Sequence, residues 1–147
     1  EEYILFPEGG YAEDIDWVIQ LFSRAKYISF LNGLAYAYRQ HGNSTASRST
    51  EGPNHLAAII QKWAEKVKQN EVPDPEVVAG LLAFEYGICM GHQQYLSREM
   101  KIILKEYQYL LHYAMDKKTK VIRLFHRIFG YWFTCNIIRF YLFCRRI

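Results

Sequence analysis

Cysteine is scarce in this 147-residue chain and is placed where it forms no recognisable pattern. The three cysteines, Cys89, Cys135 and Cys144, are an odd number, lie far apart and include no Cys-x-x-Cys pair. A disulfide scaffold and a structural zinc site are therefore both disfavoured, and the composition suits a reducing cytoplasm. We expect the three thiols to be buried structural groups.

Acidic residues are absent from residue 117 onward, and long uncharged runs are absent there too. That tail carries eight Lys and Arg, so the first 116 residues hold ten basic against fifteen acidic groups. The longest uncharged stretch of the tail, residues 128–138, has 11 residues, whereas a membrane-spanning helix needs about 20. The tail is therefore predicted not to cross a membrane.

Two interpretations of the basic, aromatic tail remain open. In one, it packs as an amphipathic helix on the rest of the protein with its arginines in water. In the other, residues 117–147 lie on an anionic membrane surface, with Trp132 and the other rings at the level of the headgroups. Nucleic acid is disfavoured as a partner because no RNA- or DNA-binding motif accompanies the charge.

The apolar and charged content of the chain, with the spacing of its apolar residues, predicts a packed, mainly α protein. Half of the residues are apolar and 22% are charged, which is enough for a hydrophobic core. The chain opens inside the apolar run 3–6, from which we expect a piece of a longer protein. Apolar residues at three- and four-residue spacing predict helices over residues 12–25, 53–70, 75–95, 98–114, 117–129 and 131–144.

Polar and small residues mark where these helices begin and end. Asp74, Ser97 and Asp116 are predicted N-caps, and Gly130 is predicted to break the last helical segment in two. The third helix is expected to bury one stripe, formed by Val77, Leu81, Phe84 and Ile88. The fourth helix is expected to bury Ile103, Tyr107, Leu110, Leu111 and Ala114.

One small β-hairpin is predicted between the first helix and the second. Residues 27–31 and 34–39 are short β-type runs on either side of Asn32-Gly33, a dipeptide typical of tight hairpin turns. Residues 40–50 are polar and are predicted to form a loop.

The order of elements in residues 6–47 resembles the end of the catalytic domain of family 2 glycosyltransferases, which are inverting enzymes of the GT-A fold. In that family a Glu-Asp pair starts a helix, and a strand pair, a Tyr-x-Tyr-Arg segment and a Ser-containing loop follow. The corresponding elements here are Glu13-Asp14, the Asn32-Gly33 hairpin, Tyr36-Ala37-Tyr38-Arg39 and residues 41–47. The resemblance covers about a third of the chain.

The resemblance implies a catalytic role for Asp14, with Glu13 beside it. Inverting transfer is a single displacement in which a carboxylate takes the proton of the attacking hydroxyl. A carboxylate in the first turn of a helix is kept ionised by free N–H groups. The plainer alternative is that these acids only stabilise the helix N-terminus. Asp14-Ile15-Asp16 also looks like an Asp-x-Asp metal motif, but residues i and i+2 of a helix point to different sides, so we interpret it as a decoy.

Three loop residues are candidates for binding the donor diphosphate, namely Arg39, His41 and Ser44. Arginine suits phosphate because of its forked donors, and His41 is a candidate ligand for a divalent metal. A solvated loop is the alternative for His41. The resemblance implies Mg²⁺ or Mn²⁺ in the full-length parent, and the strand that carries the family's metal motif would lie upstream of this chain.

These observations lead to two hypotheses of different class. In the first, residues 1–50 are the end of a GT-A catalytic domain and residues 51–147 are a bundle-like helical extension, truncated from an α/β enzyme. The parent would move a sugar from a nucleotide donor to a glycan or lipid-linked acceptor at the inner face of the membrane, and the fragment alone would be inactive. In the second, the chain is a non-enzymatic helical domain that docks on a membrane or a partner protein.

Overall fold

A computed structural model describes residues 4, 11–27, 29–33 and 50–144, and these residues are mainly helical. Five α-helices occur within the described ranges: α1 (Glu13–Arg24), α2 (Gly52–Lys68), α3 (Pro75–Gly91), α4 (Arg98–Glu106) and α5 (Lys117–Cys144). Two 3₁₀ segments, Gln93–Tyr95 and Gln108–Tyr113, lie on either side of α4. The mainly α prediction is confirmed.

The predicted N-caps are in place. Asp74 and Ser97 each accept a hydrogen bond from the backbone N–H three residues further on, at 3.4 and 3.1 Å. Asp116 accepts two backbone N–H bonds at the start of α5, at 2.8 and 3.0 Å. A proline also occupies the first turn of α2 and of α3, where its missing N–H costs nothing.

Helix α3 is the centre of the molecule, and the single buried stripe predicted for it is wrong. Val77, Phe84 and Ile88 are 38–43% exposed, and Leu81 is only partly buried. The helix instead contacts α1, α2, α5 and the 108–113 segment, so it is covered on several sides. A helix covered in this way has no single apolar face. Its fully buried side chains are Val78, Ala79, Leu82, Ala83, Tyr86, Cys89 and Met90.

Glycines of α3 allow α5 to approach closely. A Cβ atom at Gly91 would lie 2.8 Å from both Ile138 Cγ2 and Leu142 Cδ1. A Cβ at Gly87 would lie 3.0 Å from Ile122 Cδ1. Because Ile122 precedes Gly130 and Ile138 follows it, both halves of α5 pack on α3.

Gly130 breaks α5, as predicted. Its φ of 76° and ψ of 176° interrupt an otherwise helical segment, in a region that is nearly closed to residues with a side chain. The second half restarts at once, and the Thr134 hydroxyl donates to the Gly130 carbonyl at 2.8 Å. Three rings, Phe125, Phe129 and Phe133, run past the break with centroids 5.9 and 5.1 Å apart.

Two predicted helices are shorter than expected and continue as 3₁₀ segments. The third helix ends at Gly91 rather than near residue 95, and the fourth ends at Glu106. Tyr107 and Leu110 donate their backbone N–H groups to carbonyls three residues back, at 3.1 and 3.0 Å. At three residues per turn these two side chains fall on one side, and both are buried. The predicted burial of Leu111 and Ala114 is also confirmed.

The described part of the predicted hairpin forms no strand. Tyr27, Phe30 and Leu31 are at least 90% exposed and therefore lack the packing that stabilises a strand. Neither Asn32 nor Gly33 has the positive φ that a type I′ turn requires. The second run of the hairpin, residues 34–39, lies outside the described residues. Within the described ranges no helix combines the length and apolar character that crossing a bilayer requires.

Candidate functional site

Three acidic residues, Glu13, Asp14 and Asp16, occupy the first turn of α1, as the sequence predicts. The turn follows Ala12, whose φ of 61° sets the direction in which the chain enters the helix. The three side chains have different surroundings: Asp14 is exposed, Glu13 is half-buried and Asp16 is 4% exposed. The Asp14 carboxylate accepts a 3.0 Å bond from the N–H of Ile15.

Asp16 is a structural carboxylate that joins α1 to α2. Its oxygens accept bonds from Lys62 Nζ at 2.8 and 3.0 Å and from Trp63 Nε1 at 2.6 Å. Gln20 Nε2 donates a further bond at 3.1 Å from the next turn of α1. A carboxylate bound in this way has little capacity left for a metal ion, and its exposed neighbour Asp14 points elsewhere. This geometry agrees with the interpretation of Asp14-Ile15-Asp16 as a decoy.

Glu13 faces a small cavity between α1 and α2, whereas Asp14 does not line it. The cavity has a volume of about 240 Å³, and Tyr11 and His55 meet across it edge to face with ring centroids 5.4 Å apart. Glu13 and Asp14 are thus adjacent in sequence but are presented to different surroundings. The residues that line the cavity are Tyr11, Glu13, Asp16, His55, Ala58, Ile59 and Lys62.

Glu85 is a residue of this region that the sequence reasoning missed. It is half-buried on α3, and its Oε2 atom has no hydrogen-bond partner among the described residues. Burial, with a further contribution from the charge of Asp14, raises the pKa of Glu85 to about 7. The sequence did contain a signal for Glu85: it is the one acidic residue of α3 beyond the first turn, in an otherwise apolar segment.

The loop candidates Arg39, His41 and Ser44 lie outside the described residues, so the structure neither brings them to Asp14 nor separates them from it. Within the described part of the chain, no group of three or more His, Cys, Asp or Glu side chains could hold a metal ion. The expected burial of the thiols is confirmed for Cys89 and Cys135 and is wrong for Cys144, which is exposed. Burial raises the pKa of the Cys135 thiol to about 11.

The outward side of α5 is both aromatic and basic. Trp132, Phe140 and Phe143 are 62–72% exposed and recur at helical spacing with Arg139 between them. We call these four residues the aromatic surface. Six basic and no acidic residues occur over the whole of α5: Lys117, Lys118, Lys120, Arg123, Arg127 and Arg139.

A groove of about 530 Å³ lies between α3 and the two halves of α5. Its walls include Ile88 on α3, Val121 on the first half of α5 and Ile137 on the second. Lys117 and Lys118 line it at the first turn of α5, and no acidic residue among those that the structure describes does. A second concavity of about 690 Å³ adjoins it, and the groove and this concavity share His92 and Leu142.

Comparison of the chain with protein-family models, with curated proteins and with solved structures gives no match.

We expect Asp16→Asn to lower the free energy of unfolding by about 2–3 kcal/mol, because it removes the charge that the buried bonds from Lys62 and Trp63 require. Urea unfolding followed by tryptophan fluorescence measures the loss. Asp14→Asn is the matched control, since an exposed acid two residues away should change stability by no more than about 0.5 kcal/mol. Equal losses in the two variants would contradict a structural role for Asp16.

The pKa of Glu85 predicts that stability falls as the pH rises. Its folded-state pKa of about 7 lies above the ordinary value of 4.5 for a glutamate, so the folded state holds a proton that the unfolded chain releases. The stability that this protonated carboxyl contributes is fully present below about pH 4.5 and is lost as the pH rises through about 7. Glu85→Gln should remove this loss and gain about 2 kcal/mol over the wild type at pH 8, after allowance for partial exposure.

Urea midpoints at pH 5 and pH 8 test the effect, with exposed Glu99→Gln as the control. Parallel pH profiles for Glu85→Gln and the wild type would show that the Glu85 carboxyl titrates normally.

Proposed function

We propose that this chain is the C-terminal part of an inverting glycosyltransferase of family 2, with Asp14 as the general base. The full-length protein would transfer a sugar from a nucleotide-sugar donor to a glycan or lipid-linked acceptor. The observation that carries the proposal is the placement of the Glu-Asp pair: Asp14 stands exposed in the first turn of α1, where an acceptor hydroxyl has access to it.

The proposed reaction is one displacement at the anomeric carbon. The acceptor oxygen attacks that carbon while the bond to the nucleotide diphosphate breaks, and the hydroxyl proton passes to the Asp14 carboxylate. The first turn of α1 supports this role in two ways. The N–H of Ile15 donates to the Asp14 carboxylate at 3.0 Å and holds it in place. The bonds from Lys62 and Trp63 to Asp16 hold the helix that carries Asp14.

The contributions of the other proposed residues follow from the resemblance. Arg39, His41 and Ser44 would bind the donor diphosphate, and Glu13 would stand beside the base. The described residues do not fit a divalent metal, because Asp16 is fully engaged, so no step is assigned to Mg²⁺ or Mn²⁺ here. The donor site would lie mainly in the preceding domain, and the isolated chain would then be inactive.

Asp14→Asn in the full-length protein should lower kcat by at least about 100-fold, because the acceptor proton loses its carboxylate base. Release of nucleoside diphosphate from UDP-, GDP- and dTDP-sugars, with membrane lipid extract as acceptor, measures the effect. Glu76→Gln is the matched control, since Glu76 is an exposed acid in the first turn of another helix, α3. Turnover by Asp14→Asn at the wild-type rate would remove Asp14 from the mechanism.

A second candidate function is peripheral docking on an anionic membrane through α5, at the cytoplasmic face. The exposed rings of the aromatic surface support it, since Trp and Phe at this exposure favour the headgroup region, and the basic residues of α5 favour anionic lipid. This candidate holds whether or not the parent is an enzyme.

Trp132→Ser with Phe140→Ser should reduce binding to vesicles of phosphatidylserine and phosphatidylcholine at least tenfold, because both rings leave the interface. Liposome flotation at 50 and 300 mM salt measures binding, and the wild type should bind less at the higher salt. Phe30→Ser, which removes a ring that is 90% exposed but lies outside α5, is the control. Vesicle binding that is unchanged both by the double substitution and by the higher salt would refute docking through this surface.

A further inference from the structure

The groove between α3 and the two halves of α5 is built like a site for one apolar chain. Its volume of about 530 Å³ lies within the range of about 300–1,000 Å³ that is typical of small-molecule sites. Its apolar walls come from three helical segments, so a ligand in the groove would contact all three. The apolar lining consists of Phe84, Ile88, Val121, Ile122, Phe125, Ile137, Ile138 and Leu142.

The charges that line the groove have one sign. Lys117 and Lys118 are exposed, line the groove and belong to the first turn of α5. The nearest acid in sequence, Asp116, is engaged by the backbone N–H groups of Lys118 and Thr119 at 2.8 and 3.0 Å. An apolar cavity whose described lining includes two lysines and no acid is complementary to an amphiphile that has one acyl chain and one anionic head.

The groove lies between α3 and the two halves of α5, which the break at Gly130 separates. The second half of α5 has one face toward the groove and another face toward solvent. Thr134, Ile138 and Leu142 line the groove at four-residue spacing. Trp132, Arg139, Phe140 and Phe143, which form the aromatic surface, are exposed on the same helix. None of these four residues lines the groove, although Arg139, Phe140 and Phe143 line the adjoining concavity.

We propose that this groove binds a long-chain fatty acid, with the acyl chain between α3 and α5 and the carboxylate at Lys117 and Lys118. The inference goes beyond the transferase and does not depend on it, because no groove residue belongs to the site around Asp14. A fatty acid is monomeric at low concentration, so its binding is also measured independently of vesicle docking.

The test is a titration of the purified protein with cis-parinaric acid, a fluorescent fatty acid, below its micelle concentration. We expect saturable binding of one molecule per chain, and competition by saturated fatty acids that strengthens roughly fourfold per added methylene until the groove is full. Ile88→Asp places a charge in the wall at a position that is 38% exposed and should abolish binding. Ile102→Asp, at a residue of α4 that is 58% exposed and lies outside the groove, should leave binding unchanged.

The position of the carboxylate at Lys117 and Lys118 is tested separately. Lys117→Gln with Lys118→Gln should weaken the acid at least fivefold and leave the uncharged methyl ester unchanged, whereas Lys101→Gln with Lys120→Gln should change neither. Absence of saturable binding, or binding that survives Ile88→Asp, would overturn the proposal. A ligand-free dimer that Ile88→Asp dissociates would overturn it too, because it would identify a second copy of the chain as the occupant.

Discussion

The burial of α3 on several sides is the constraint on which the rest of the described structure depends. A helix in the middle of a small protein must be apolar on nearly all sides. It must also carry small side chains where neighbouring helices cross it closely. Glycines meet the second requirement at residues 87 and 91, where both halves of α5 approach. Polar groups on such a helix have few partners. The Tyr86 hydroxyl finds one in the Leu104 carbonyl at 2.9 Å, whereas Glu85 finds none within the described residues and keeps a raised pKa.

The same burial explains how three neighbouring acids of α1 acquire different chemistry. Helix α1 packs on α2 through the side that carries Asp16. The acid on that side, Asp16, is paired with Lys62 and Trp63, because an unpaired buried carboxylate would be costly. Asp14 is exposed and accepts a bond from the N–H of Ile15, and its charge contributes to the raised pKa of Glu85 on α3. Glu13 faces the cavity between α1 and α2. The first turn of α1 thus holds both a structural acid, Asp16, and the acid that we propose as a base, Asp14.

Helix α5 gains two separate surfaces from one backbone break. Without Gly130, a single straight helix of this length would present one face to α3 and extend beyond it. The φ of 76° lets the second half return to α3, so both halves contact it and enclose the groove. The outward side then has nothing to cover it among the described residues. That uncovered side carries the rings and the positive charge whose partner we propose to be an anionic membrane.

Local signals in the sequence determined the helices, their caps and the break at Gly130, since each depends on a few adjacent residues and on backbone hydrogen bonding. The resemblance of residues 6–47 to a glycosyltransferase also comes from sequence alone, and it stays a prediction. Tertiary structure decided features that the spacing of apolar residues along the sequence does not specify. It determined which residues of α3 are buried, because a nearly uniform apolar helix offers no stripe. It also converted the expected ends of α3 and α4 into 3₁₀ segments. It left the described half of the hairpin without strand structure. It also left Cys144 in solvent, and it raised the pKa of Glu85, because burial and neighbouring charge exist only after distant segments have packed together.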